Sequence, residues 1–192
     1  MARVLLSAPD DKPWSWGRHL AAALREIGVE TRLLDFRSTA HPDSTLLQTV
    51  EQYRPLVHVV WKGERYSPET LRQVASRSVY NVLWYPDGDV PSWLPPLARA
   101  SDLCCTQGRT AQERLRRSGV RDVERLIEGI TPSCFEYDCL TQQDVDEYGC
   151  DVVMIGTIDR VPGYRRRLHA LNRLIRDGVR VRWWGRKMSF RR

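Results

Sequence analysis

Short apolar runs of strand length alternate with helical periodicities six times between Arg3 and Ile127, and most links between them are only a few residues long. Strands joined through helices run parallel, and a parallel sheet needs apolar cover on both faces. The alternation therefore predicts a doubly wound α/β domain with right-handed crossovers. The strand-length runs are Arg3–Ala8, Glu30–Phe36, Leu56–Trp61, Val79–Tyr85, Leu103–Thr106 and Val123–Ile127. Between the first two, Leu20, Leu24 and Ile27 recur at i, i+4 and i+7, the spacing of one helix face, and Gly28 closes the helix. Thr45–Tyr53 reads as a helix entered through Asp43 or Ser44. Ser67-Pro68-Glu69 is a strong helix start: a capping hydroxyl, a proline at the position that needs no N–H, and an acid near the positive end of the dipole. Ser92–Arg99 predicts a short helix punctuated by proline, and Arg109–Ser118 one closed by Gly119.

Beyond this set the chain changes character. Thr141–Tyr148 is polar without an apolar period and reads as a linker. Asp151–Gly156 then restarts the pattern as a strand, followed by an amphipathic helix and a strand at Val179–Trp184. The expected organisation is one α/β domain with its linker over 1–148, then the first βαβ unit of a second, incomplete domain over 149–192.

The formal charge of +6 is unevenly placed. Tyr164–Arg192 holds ten Arg and one Lys against one Asp, a surplus of +10 that leaves −4 for the preceding 163 residues. A protein that wraps nucleic acid over its whole surface is not built this way, so nucleic acid is an unlikely partner and a basic C-terminal face is left to explain. No apolar run approaches a membrane span, and the N-terminus lacks the length of a signal peptide, which points to the cytoplasm. The five cysteines include no CxxC and share no ligand spacing with the four histidines, so buried free thiols are expected and no metal.

In doubly wound sheets, ligands bind outside the carboxyl ends of the strands, so the loops after strands are where chemistry is sought. The first, SAPDDKPWSWG, lacks the GxGxxG of a dinucleotide turn; Trp16 and Gly17 would line it. There is no GxxxxGK[ST] phosphate loop and no GxSxG elbow. The third loop, Lys62-Gly63-Glu64-Arg65, sets a cation and an acid beside a flexible residue. It suits a hydroxylated or anionic ligand, and equally a solvated turn. The fourth, Trp84-Tyr85-Pro86-Asp87-Gly88-Asp89, sets aromatic rings beside carboxylates, a pairing that suits a sugar's apolar face and its hydroxyls. Asp87 or Asp89 could serve as a general base on a hydroxyl, or simply hold the turn, whereas Trp84 and Tyr85 read as core. Glu128-Gly129-Ile130-Thr131-Pro132-Ser133-Cys134-Phe135 follows the last strand as a glycine turn and a proline bend.

This passage, with "DVVMIGTIDRVPGYRRRLHAL" and "VRVRWWG" after it, resembles the interdomain region of GT-B glycosyltransferases. Gly129, Ile130 and Phe135 fit the N-G-[IV]-[DN]-x-x-x-F pattern of nucleotide-sugar glycosyltransferases of family 1 and 4 type, while Glu128 and Thr131 depart from it. Lys62-Gly63-Glu64, Ser67-Pro68-Glu69-Thr70-Leu71 and Trp84-Tyr85-Pro86-Asp87 are similar to stretches of the spore-maturation-like members, with Gly88 where an acid is usual.

The resemblance implies an enzyme of two Rossmann-like halves that transfers a sugar from a nucleotide-sugar co-substrate to a hydroxyl acceptor, without a bound cofactor or metal. On that reading Asp87 and Asp89 are acceptor-side acids, and Trp16, Gly17, Lys62, Gly63, Glu64, Glu128 and Gly129 bind substrate. Gly156, Thr157, Arg165 and Arg166 meet the donor. The ribose-gripping acidic pair of the donor half has no counterpart after Asp151, so the chain is expected to be inactive alone. Two other readings stand beside it: a non-catalytic Rossmann-like binding module, and a nucleic-acid-associated protein using the basic C-terminal stretch with Trp183, Trp184 and Phe190 as stacking groups.

Overall fold

The structure is a computed structural model that describes residues 2–12, 15–129, 140–158 and 162–185, leaving out the side chains of 162 and 163. Its contacts divide the chain into two compact units, Met1–Thr131 and Pro132–Arg192.

In the first unit, six parallel strands form one sheet in the order β2-β1-β3-β4-β5-β6. They are β1 (Arg3–Ser7), β2 (Glu30–Leu34), β3 (Val57–Trp61), β4 (Tyr80–Tyr85), β5 (Leu103–Thr106) and β6 (Val123–Arg125). The connecting helices are α1 (Trp16–Glu26), α2 (Pro42–Tyr53), α3 (Pro68–Ala75), α4 (Leu94–Arg99) and α5 (Arg109–Arg117). This is the doubly wound, Rossmann-like α/β architecture that the alternation predicts.

Side-chain alternation along each strand sorts the interior into two layers. Leu5, Val60, Leu83 and Cys104 join an apolar cluster with Leu46 and Val50 of α2, Leu71 and Val74 of α3, Leu97 of α4 and Leu115 of α5. Their strand neighbours Leu6, Trp61, Trp84 and Cys105 face the other way and meet Ala21 of α1. Cover is thus unequal, since among the described residues α1 is the one helix that contributes to the second cluster.

Local signals hold well at α3, where Ser67 Oγ accepts from the Thr70 N–H at 3.2 Å and Pro68 follows the cap. They fail at the start of α2. His41 is the N-cap and gives no side-chain bond, while Asp43 instead accepts from the Ser67 N–H at 3.0 Å. The carboxylate expected to cap its own helix ties it to the start of the next.

The second unit contains α6 (Gln142–Tyr148), β7 (Val152–Ile155), α7 (Pro162–Arg176) and β8 (Val181–Trp184), with β7 and β8 parallel. Here the expected linker is a helix. Thr141 Oγ1 accepts from the Asp144 N–H and Asp144 accepts from the Thr141 N–H, a reciprocal capping box that needs no apolar period to start a turn. No residue of α6 is buried, which is why periodicity did not reveal it.

Candidate functional site

The strand order makes β1 the switch point of the sheet, because the chain leaves it for β2 on one side and returns to β3 on the other. The loops after β1 and β3 therefore open beside each other at the carboxyl end, and the loop after β4 joins them.

Trp61 ends β3 and is buried, with Trp16 stacked on it at a centroid distance of 5.3 Å and Trp84 meeting it edge-on at 4.8 Å. Trp16 is 42% exposed, so the cluster presents one ring to solvent above two in the core. Gly17 lets α1 start this close to the β1 loop, since a Cβ there would lie 2.6 Å from the Pro9 carbonyl oxygen. The indole N–H of Trp84 is buried and has no acceptor.

Immediately after Trp61 the chain turns sharply. Lys62 has φ +67° and Gly63 φ +78°, and the Gly63 N–H donates to the Trp61 carbonyl at 2.9 Å, a three-residue turn that a non-glycine residue adopts only under strain. Gly63 is obligatory on steric grounds too, because its Cβ would sit 2.7 Å from Val60 Cγ1 and 3.0 Å from Leu97 Cδ2. The turn sends Lys62 toward the β4 loop, where Nζ lies 2.6 Å from Asp87 Oδ2. Glu64 accepts from Arg37 Nε at 2.8 Å, and Arg65 donates to the carbonyls of Phe36 and Arg37 at 3.1 and 2.7 Å. Asp89 accepts from the Tyr85 hydroxyl at 2.9 Å. Burial, reinforced by Asp89, pushes the Tyr85 phenol above its ordinary range, so it remains a donor.

Of the residues singled out in the sequence, the structure brings Trp16, Gly17, Lys62, Gly63, Glu64, Asp87 and Asp89 to this end of the sheet. Trp84 and Tyr85 are buried at 9% and 4% exposure. Glu128 and Gly129 follow β6, the edge strand two places from β4, and Ile130 to Phe135 lie outside the described residues. In the second unit Gly156 takes φ +138°, a glycine conformation, at the end of β7. Its carbonyl accepts from Trp183 Nε1 at 2.6 Å, and the Thr157 carbonyl accepts from Arg167 at 3.4 Å. Arg165 and Arg166 are exposed on the first turn of α7.

Sequence reasoning missed a polar chain beneath the site. The Tyr66 hydroxyl donates to Ser7 Oγ at 3.0 Å, and Ser7 Oγ lies 2.8 Å from His58 Nε2. His58 Nδ1 lies 3.0 Å from Asn81 Oδ1, and Asn81 Nδ2 donates to the Leu71 carbonyl at 3.0 Å. With Asn81 fixed by Leu71, its oxygen must accept from Nδ1–H; Nε2 then accepts from Ser7, and every donor points one way. Ser7, His58 and Asn81 are each 0% exposed. Burial lowers the His58 pKa to about 4, keeping the ring neutral. The order of groups is that of a nucleophilic triad, but solvent exclusion makes it a structural pillar joining β1, β3 and β4. The available signal was a Ser and a His at core-facing strand positions.

Cys104 and Cys105 are buried free thiols, the first pushed up to about 12 by burial, and Cys150 is half-buried; Cys134 and Cys139 lie outside the described residues. Among the described residues no group of His, Cys, Asp and Glu is placed to hold a metal ion. None of the described helices is long and apolar enough to cross a membrane.

No protein-family model matches the sequence, and no curated protein matches it. Among solved structures, the chain is similar to the periplasmic binding protein component of the arabinose ABC transporter from Shewanella sp. ANA-3, bound to alpha- and beta-L-arabinofuranose, with 9% identity and a TM-score of 0.42. The match covers 97% of this chain and 54% of that one, so this chain spans about half of that structure's length.

Proposed function

We propose that this chain serves a glycosyltransferase and that its first unit receives the hydroxyl-bearing acceptor. The observation that carries the reading is the Trp16–Trp61–Trp84 cluster, which stands beside the Lys62–Asp87 pair that bridges the ends of β3 and β4. An exposed ring covers the apolar face of a sugar, and the neighbouring ammonium and carboxylate take its hydroxyls. Asp87, held by Lys62, or Asp89, held by Tyr85, would draw the proton from the attacking hydroxyl.

On the same reading the nucleotide-sugar co-substrate falls to the second unit, through Gly156, Thr157, Arg165 and Arg166. Guanidinium forks and backbone N–H groups suit a diphosphate. The enzyme works in the cytoplasm, a placement supported by the unpaired thiols of Cys104 and Cys105.

The test is titration of simple sugars read by tryptophan fluorescence, since Trp16 and Trp61 report directly on the site. Saturable quenching that disappears in Trp16→Ala is expected. If no sugar gives a saturable change in the parent protein, the acceptor assignment is wrong.

A further inference from the structure

A groove of about 590 Å³ lies along the outer edge of the sheet, lined by α1, β2 and the end of α2. Arg18, Arg25 and Arg32 line it, together with Glu30, Thr31 and Tyr53. Arg18 is neutralised by an ion pair to Asp10. Arg25 and Arg32 are not: among the described residues neither is ion-paired with a carboxylate. Each is held in place by a neutral partner. Arg25 donates to the Thr31 carbonyl at 3.0 Å, and Arg32 lies over the Tyr53 ring at 4.8 Å. Tyr53 is anchored in turn by its hydroxyl on the Glu30 carbonyl at 3.0 Å. Two guanidinium groups therefore line one groove without an ion pair of their own, beside the carboxylates of Asp10 and Glu30, which leave the lining a small surplus of positive charge.

We infer that this groove binds the phosphoryl group of a small molecule between Arg25 and Arg32. The planar fork of a guanidinium matches the oxygens of a phosphoryl group, and a π-stacked or carbonyl-bonded arginine loses little freedom on binding. The acids that share the lining, Asp10 and Glu30, disfavour a long polyanion and favour a compact ligand. The inference stands on residues other than those of the proposed sugar site and does not depend on it. The competing explanation is that arginines on an edge strand only discourage strand-to-strand association.

The probes are inorganic phosphate and pyrophosphate, titrated calorimetrically at fixed ionic strength set with chloride. Saturable binding is expected for pyrophosphate, and the variant Arg25→Gln/Arg32→Gln should weaken it by about tenfold or more, as loss of charge-assisted bonds demands. The variant Arg114→Gln/Arg117→Gln, which removes the same charge from α5, should leave it unchanged. Should Arg25→Gln/Arg32→Gln not fold, Arg25→Lys/Arg32→Lys keeps the charge but loses the fork, and weaker binding is again expected. The inference is overturned by absent binding, by equal binding in parent and groove variants, or by equal loss in the α5 variant. Self-association of the groove variant without any pyrophosphate binding by the parent would leave edge protection as the role of these arginines.

Discussion

Lys62 Nζ sits 2.6 Å from Asp87 Oδ2, across the mouth between β3 and β4, on a residue whose backbone is in the left-handed region at φ +67°. The fold thus accepts a strained residue, on the order of 1–3 kcal/mol, to hold an ammonium at that point. The pair itself contributes little, since both side chains are partly exposed. Lys62→Gly should therefore relieve the backbone and leave the unfolding free energy within about 1 kcal/mol of the parent or higher. The same variant should weaken sugar-induced tryptophan quenching. A substantial loss of stability in urea would instead make Lys62 a structural residue.

Gly63 makes the opposite case. A methyl group there meets Val60 and Leu97 at 2.7 and 3.0 Å, and φ is +78°. Overpacking and a left-handed alanine act together, so Gly63→Ala should lower stability by about 2–4 kcal/mol. Urea midpoints of parent and variant measure this directly. An unchanged midpoint would mean that the turn after β3 is looser than described.

Ser67 tests a purely local signal. Its hydroxyl caps α3 through the Thr70 N–H, and Ser67→Ala should cost about 1 kcal/mol by the same urea measurement. The bond from the Ser67 N–H to Asp43 is unaffected by that change, but the 2.9 Å bond between Ser67 Oγ and Thr70 Oγ1 is lost with the cap, and a larger loss would measure its weight.

What the sequence disclosed and what it hid divide along this local boundary. Strand runs, the Ser67 cap and the glycine ends of helices depend on neighbours a few residues apart, so the fold was legible. The left-handed Lys62 was not, because nothing in Lys62-Gly63 chooses between a solvated turn and a strained one; Val60, Leu83 and Leu97, packed around Gly63, decide it. The loops of the candidate site were singled out because ligands of doubly wound sheets bind outside the carboxyl ends of the strands. The stacking of Trp16 on Trp61 and the pairing of Arg37 with Glu64 join separate loops, and no local pattern encodes them. Ser7 and His58 are the extreme case, 51 positions apart and informative only as a pair.

That pair sets a pH dependence of known sign. His58 has a folded pKa of about 4 against 6.5 for the free side chain. Above pH 6.5 the ring is neutral in both states and the full stability is present. As pH falls from there, the unfolded chain takes up the proton first, and stability declines by about 1.4 kcal/mol per pH unit. The decline ends near pH 4, where the folded ring also charges, for a total on the order of 3 kcal/mol. Charging would also reverse the bond to Ser7: Nε2 would donate to Ser7 Oγ, and the Ser7 O–H would lose its buried acceptor. Other groups titrate in this range, so the comparison is with His58→Gln, measured by urea unfolding at steps from pH 8 to pH 4. The parent should lose more stability on acidification than the variant, even though the variant starts lower. Parallel pH profiles would mean that His58 titrates normally and that burial does not hold it neutral.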